Sequence, residues 1–265
     1  MVDIHKAFSN LTSLLKTDKP SWETKSRFWF NCLTRIQQTP GANQLFERIA
    51  NAPQSDLGDY LAELWFATMF KELGFHVIID PLGDGPDMKI SKQDFDIFVE
   101  VTCFRKIYPG PPDLTLSNTE EITLVEYGNW KRDANKAYKK ILSKFPQLRR
   151  VEIDSSIVAI WNYDGDLEEI EMEDAVTNIC RDGMAKKILI PENLKFVIFA
   201  PWDGKHLAFT ISKSLTVVEK ELIENISQQS IFELQSGELV KRCRLFCGDD
   251  FRPRPRIARV VRHIG

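Results

Sequence analysis

Long apolar runs are missing from this sequence. No stretch reaches the length of a membrane-spanning helix, and Met1-Val2-Asp3-Ile4-His5-Lys6 has neither the apolar region nor the cleavage site of a secretory leader. Cysteine is sparse and odd in number, five in all, which speaks against a disulfide framework and makes a reducing cytoplasm the expected setting. Cys243 and Cys247 are spaced as CxxxC, but no second ligand pair lies nearby, so ordinary thiols are expected there rather than a structural zinc. A strong excess of charge is missing too. A net charge of -3 excludes a general polyanion binder, so any nucleic-acid surface must be a local patch. There is no glycine-rich phosphate loop and no nucleophile elbow, which removes sequence support for a small-molecule enzyme. What is present is ordinary globular material, 43% hydrophobic and 28% charged, on a chain long enough to bury a sizeable core.

Apolar periodicity divides the chain into three parts. Residues 1–55 read as a helical segment: Phe8, Leu11, Leu14 and Leu15 recur at helical spacing, Ser21 is placed to cap a second helix, and Pro40-Gly41 ends it. Residues 56–161 are the most patterned part and read as the core. Asp56 or Ser55 is a candidate cap for a helix running to Leu73, with Gly74 as its stop. Phe75–Ile79, Pro86–Ile90 and Phe95–Cys103 follow as strands, with a turn over Ser91–Asp94. Trp130–Phe145 then reads as a helix and Ser156–Trp161 as a buried strand. Residues 105–129 form a long Pro- and Thr-rich connection, a kind of segment that is usually functional or mobile. Residues 162–265 read as a C-terminal extension with a basic tail; within it Glu173–Cys180 is expected to be helical, and Leu194–Ala200 is expected to pair with His206–Ile211. The expected class is therefore α/β, with a mixed central sheet around an αβββαβ core.

Set against this order, the acidic residues are unusual. Pairing Ile90 with Phe95 places Asp87 opposite Phe98 and diagonal to Glu100, so both carboxylates point to one face of the sheet. Glu100 stands in the apolar run Ile97-Phe98-Val99-Glu100-Val101, where a charge without a partner is unfavourable. Two close carboxylates repel unless a cation lies between them, and a hard divalent ion such as Mg2+, or Mn2+, suits oxygen ligands. Glu63 borders the apolar stripe of the preceding helix and is placed to supply a third carboxylate. The plainer alternative is that Asp87 caps a turn and Glu100 pairs with an arginine.

Pro86-Asp87, Glu100-Val101-Thr102 and the upstream Glu63, on this element order, resemble the PD-(D/E)XK, or restriction-endonuclease-like, nuclease superfamily. The resemblance covers roughly residues 56–161 and leaves the flanks unmatched. It implies that Asp87 and Glu100, with Glu63, bind Mg2+, and that a lysine two residues after the glutamate assists the attacking water. Thr102 stands at that lysine position and cannot carry a positive charge. Among replacements, Lys89 shares the face of Asp87, although a cross-strand pair with Asp96 is its plainer role. Lys131 borders the apolar face of the next helix, and Lys106 lies farthest along the strand.

Basic residues stud the helix after the third strand, Lys131 to Arg150, as a solvated face commonly does. The tail residues Arg252, Arg254 and Arg256 are candidates for phosphate contact. Trp202 and His206, flanking the Asp203-Gly204 turn, are read as packing residues. The expected function is Mg2+-dependent cleavage of nucleic acid, DNA rather than RNA, with a homodimer as a natural arrangement for cutting two strands. The alternative is a nuclease-fold protein that has lost its chemistry and acts as a nucleic-acid-binding or structural module.

Overall fold

The computed structural model describes residues 4–15, 22–104, 130–150, 152–162, 167, 169–201, 206–229, 233–235, 238–240 and 243–246. Four helices lead, α1 (Ile4–Leu15), α2 (Trp22–Ile36), α3 (Ala42–Asn51) and α4 (Gln54–Glu72). The strands β1 (His76–Ile79), β2 (Met88–Lys92) and β3 (Phe95–Phe104) follow, then α5 (Trp130–Arg149), β4 (Ser156–Asn162), α6 (Glu169–Met184), β5 (Leu194–Pro201), β6 (His206–Thr210) and α7 (Val217–Gln229). Three short strands end the described chain, β7 (Glu233–Gln235), β8 (Glu238–Val240) and β9 (Cys243–Phe246). From α4 to β4 the order is αβββαβ, as the periodicity predicts.

One seven-stranded mixed sheet carries the fold, in the order β1-β2-β3-β4-β5-β6-β9, and β7 and β8 form a separate hairpin. The first three strands form an antiparallel meander; β3, β4 and β5 run parallel, with β6 antiparallel to β5. Parallel neighbours need crossovers, and α5 and α6 supply them. Side-chain alternation then sorts each central strand between two cores. Ile157, Ala159 and Trp161 of β4 join Leu61 and Phe66 of α4, Trp29 of α2 and Leu222 of α7. Val158 and Ile160 join Ile141 and Phe145 of α5 with Met172 and Ile179 of α6 on the opposite face. Both faces of the sheet are thus covered by helices. No helix among the described residues is long and apolar enough to cross a membrane.

Several local expectations need correction. Neither Asp56 nor Ser55 caps α4; its N-cap is Pro53, no side-chain cap bond forms, and Ser55 donates to Asp56 instead. Gly74 does stop the helix: it adopts φ +82, and the Phe75 N–H reaches back to the Phe70 carbonyl at 3.0 Å. The β2–β3 turn is shorter than Ser91–Asp94. Gln93 and Asp94 alone make it, with φ of +51 and +61, the geometry that matches strand twist in a two-residue hairpin. Helix α5 continues past Phe145 and through Pro146, beyond which Leu148 is buried in the core. Helix α6 extends Glu173–Cys180 in both directions, and α7 goes beyond the expectation altogether. The Ser21 cap, residues 105–129, the Asp203-Gly204 turn and Trp202 lie outside the described residues.

Gly41 explains how the helical segment meets the sheet edge. Its φ is +84, and a Cβ there would fall 1.9 Å from the Ile79 carbonyl oxygen. Only glycine permits that approach, which lets the Ile79 N–H donate to the Pro40 carbonyl at 2.9 Å. Helices α3 and α4 are therefore held against the β1 edge, and α4 also packs on β3, the strand that carries Glu100.

Candidate metal and catalytic centre

The tighter hairpin moves the register by two residues. Ile90 pairs with Ile97 and Met88 with Val99, so Asp87, the next residue outward, comes opposite Glu100 instead of diagonal to it. A shift of two preserves the parity of side chains, so the shared face survives. Asp87 is fixed from two directions. Its Oδ2 accepts the Val101 N–H at 2.7 Å, and its carbonyl accepts the Asp80 N–H at 2.7 Å. The Asp87 carboxylate raises the pKa of Glu100, and a shared proton or a bridging cation would relieve the repulsion between the two.

Glu100 is fully buried, and its positive partner comes from an unexpected place. Lys144 Nζ, on α5, donates to Glu100 Oε1 at 2.8 Å, while Glu100 Oε2 is buried without a partner among the described residues. Burial, and then Asp87, push the Glu100 pKa up to about 7 against the pull of Lys144. Asp87 is also raised, by burial first; Lys144, the Val101 N–H and Arg48 oppose this, and Asp59 adds to it. Burial alone lowers Lys144, but Glu100, Asp87 and Asp59 outweigh it, so its pKa is raised and the amine stays an ammonium.

Asp59 is a further member of the group. It lies one turn before Glu63 on α4, and its Oδ1 accepts the Cys103 N–H at 3.0 Å. Glu63 itself is nearly buried and gripped by Arg48 of α3, at 3.1 Å from Nη1 to Oε1 and 2.7 Å from Nη2 to Oε2. Burial, and then Asp87, push Glu63 up to about 8 despite that clamp. Among the described residues no group of three or more histidine, cysteine, aspartate or glutamate side chains is placed to hold a metal ion.

The lysines weighed on sequence grounds fare differently. Lys89 Nζ pairs with Asp96 at 3.0 Å, the plainer role anticipated for it. The side chain of Lys131 lies outside the described residues, as do Lys106 and the arginines Arg252, Arg254 and Arg256. Lys144, counted with the solvated face of α5, points into the acidic group instead. Thr102 is buried, and its Oγ1 has no partner among the described residues. His206 is buried and accepts from Trp65 Nε1 at 3.3 Å, a packing role.

Asp87 and Glu100 are the residues that could hold a divalent cation here: among the described residues one buried Glu100 oxygen has no donor, and the Lys144 ammonium stands among Asp59, Asp87 and Glu100. Glu63 does not contribute a free oxygen while Arg48 holds it. No family model matches this chain, and no curated protein and no solved structure matches it.

Proposed function

We propose that this chain is a Mg2+- or Mn2+-dependent nuclease of the PD-(D/E)XK kind, with its centre at Asp87, Glu100 and Lys144. The observation that carries this reading is the Lys144–Glu100 contact beside Asp87. It supplies, from α5, the positive charge that Thr102 cannot. Asp87 and Glu100 would hold the cation, with water and substrate phosphate completing its shell. When bound, the cation neutralises phosphate charge and acidifies a water molecule. Lys144, kept protonated by its acidic neighbours, orients water and opposes the negative charge that grows on the phosphate; it does not act as a base near neutral pH. Thr102 fills space at the motif position. Arg252, Arg254 and Arg256 are proposed to contact phosphates, and two copies of the chain to act together on duplex DNA.

A second reading has a specific finding on its side. With no three-residue ligand group among the described residues and Glu63 clamped by Arg48, the chain also fits a nuclease-fold module that binds nucleic acid without cutting it. On the count of metal ligands this second reading is the better supported; the cleavage reading rests on Lys144. Plasmid, single-stranded DNA and RNA are incubated with Mg2+ or Mn2+, beside Asp87→Ala, Glu100→Ala and Lys144→Met. Cleavage lost in all three variants is the expected result. Binding without cleavage under either metal would establish the second reading.

A further inference from the structure

Arg48 stands between the acidic group and the surface. Its two terminal nitrogens occupy both oxygens of Glu63, at 3.1 and 2.7 Å. Glu63 is only 5% exposed, whereas the Arg48 side chain is 33% exposed. The guanidinium also lies over the Tyr60 ring, 5.2 Å from its centre. Beside it opens a surface concavity lined by Gln44, Glu47, Asn51 and Tyr60. The arginine therefore has an exit and the glutamate has none. The clamp is also incomplete, because Arg48 Nε is buried with no hydrogen-bond partner among the described residues. Guanidinium is weakly hydrated and stacks readily on aromatic rings, so departure toward Tyr60 keeps part of its stabilisation. Glu63 is meanwhile near enough to Asp87 to feel its negative charge.

We propose that Arg48 is a built-in competitor of the divalent cation: it holds Glu63 in the metal-free chain and swings into the concavity when a cation binds, which releases Glu63 to the centre as a third carboxylate. This rests on the reading of Asp87 and Glu100 as the metal centre. It also accounts for the lack of a three-residue ligand group among the described residues, since the third member is already engaged. Arg48 acts through Glu63 and is a positioning residue, not a catalytic one.

The test is Mn2+ binding to the full chain after treatment with EDTA, read as free Mn2+ by electron paramagnetic resonance and without any substrate. Arg48→Ala is expected to lower the Mn2+ Kd by about tenfold. Arg48→Lys keeps the charge but loses the fork, and is expected to fall between Arg48→Ala and the wild type. In the Glu63→Gln background, Arg48→Ala is expected to leave the Kd unchanged. An unchanged or weaker Kd in Arg48→Ala overturns the proposal. So does tighter binding that persists in the Glu63→Gln background, because Arg48 would then act by general repulsion. If Arg48→Ala does not fold, an unchanged Kd in Arg48→Lys overturns it equally. Equal Mn2+ binding by the wild type and both arginine variants removes the role of Arg48 alone, whereas absence of Mn2+ binding in all of them removes the metal centre as well.

Discussion

Glu100 and Glu219 are both fully buried, yet their surroundings differ in kind. Glu219 sits in the first turn of α7, where its Oε2 accepts the Thr216 N–H at 2.5 Å and its own N–H donates to Thr216 Oγ1 at 3.3 Å. This is a capping box, and Ser155 Oγ completes it by donating to Glu219 Oε1 at 2.5 Å. Every oxygen has a donor, and the helix N-terminus favours the negative charge. Glu100 has one donor, one oxygen without a partner and a second carboxyl beside it. Burial is common to both. What separates them is that one ammonium serves several carboxyls at Glu100, a deficit of positive charge on which the proposed cation site rests.

The largest expected effect tests that deficit directly. Lys144→Met should reduce Mg2+-dependent plasmid cleavage by about 10²- to 10⁴-fold, the usual range for a positioned proton donor or charge stabiliser. Lys89→Met, which breaks only the pair with Asp96, should stay within about twofold, since partly exposed ion pairs contribute little. Glu219→Gln should leave cleavage per folded molecule unchanged. Equal losses in Lys144→Met and Lys89→Met would dissolve the distinction between the two lysines.

That contrast also shows what could be read from residues in order. The strand–turn–strand was legible because alternation and β-branched runs are local, and the two-residue slip at Gln93-Asp94 left the parity of Asp87 and Glu100 untouched. Fold class was legible for the same reason, since the two periods alternate in the order αβββαβ. Lys144 was not. It belongs to a run with Lys136, Lys139 and Lys140, and although its spacing from Ile141 puts it on the border of the apolar stripe, that position alone does not say whether it turns inward. Only the packing of α5 on β3, a long-range fact, turns it inward. Arg48 was hidden because α3 was merged into one helical segment, so its approach to α4 had no local sign. Asp59 left a trace: it lies one turn from Glu63 on the same helix and so shares its face, a spacing that could have been weighed.

Stability separates the two glutamates next. Glu219→Ala should lose about 2–4 kcal/mol in urea denaturation, because it removes a helix cap and leaves the Ser155 hydroxyl and the Thr216 N–H unsatisfied. Glu100→Gln, in EDTA at pH 8, should be no less stable than the wild type, since glutamine stands in for the protonated form that burial and Asp87 favour. A loss in Glu100→Gln as large as that in Glu219→Ala would make both residues plain structural anchors.

The pH dependence follows with its sign fixed. Burial, and then Asp87, push Glu100 up to about 7 and Glu63 up to about 8 in the folded chain, against the ordinary 4.5. Between these limits the folded state binds more protons than the unfolded one, so metal-free stability should fall as pH rises from 5 to 8. Glu100→Gln should flatten the fall up to about pH 7 and Glu63→Gln should flatten it up to about pH 8, as read from urea midpoints across pH. Mn2+ should flatten the fall in the wild type, because it supplies the missing positive charge. A metal-free wild type whose stability rises over this range would contradict the raised values.

The smallest effect concerns what the acidic end faces. Lys140, Lys144 and Gln147 recur on one side of α5, and Arg150, just past its end, donates from Nη1 to the Asp84 carbonyl at 3.2 Å, beside the loop that leads to Asp87. If nucleic acid reaches Asp87 and Glu100, its backbone passes this side of the helix. Each phosphate contact releases bound counterions, so losing one should reduce the slope of log K against log salt by about 0.9 on duplex DNA. Lys140→Ala and Arg150→Ala should each approach that change, measured by fluorescence anisotropy with Ca2+ in place of Mg2+ to hold back cleavage. Lys220→Ala, next to Glu219 and exposed on α7, carries a similar charge at the other glutamate and should leave the slope unchanged. Equal slopes for all three variants would mean that the charge deficit at Glu100 faces some ligand other than a phosphate backbone, and that the glutamates differ in chemistry without differing in access to nucleic acid.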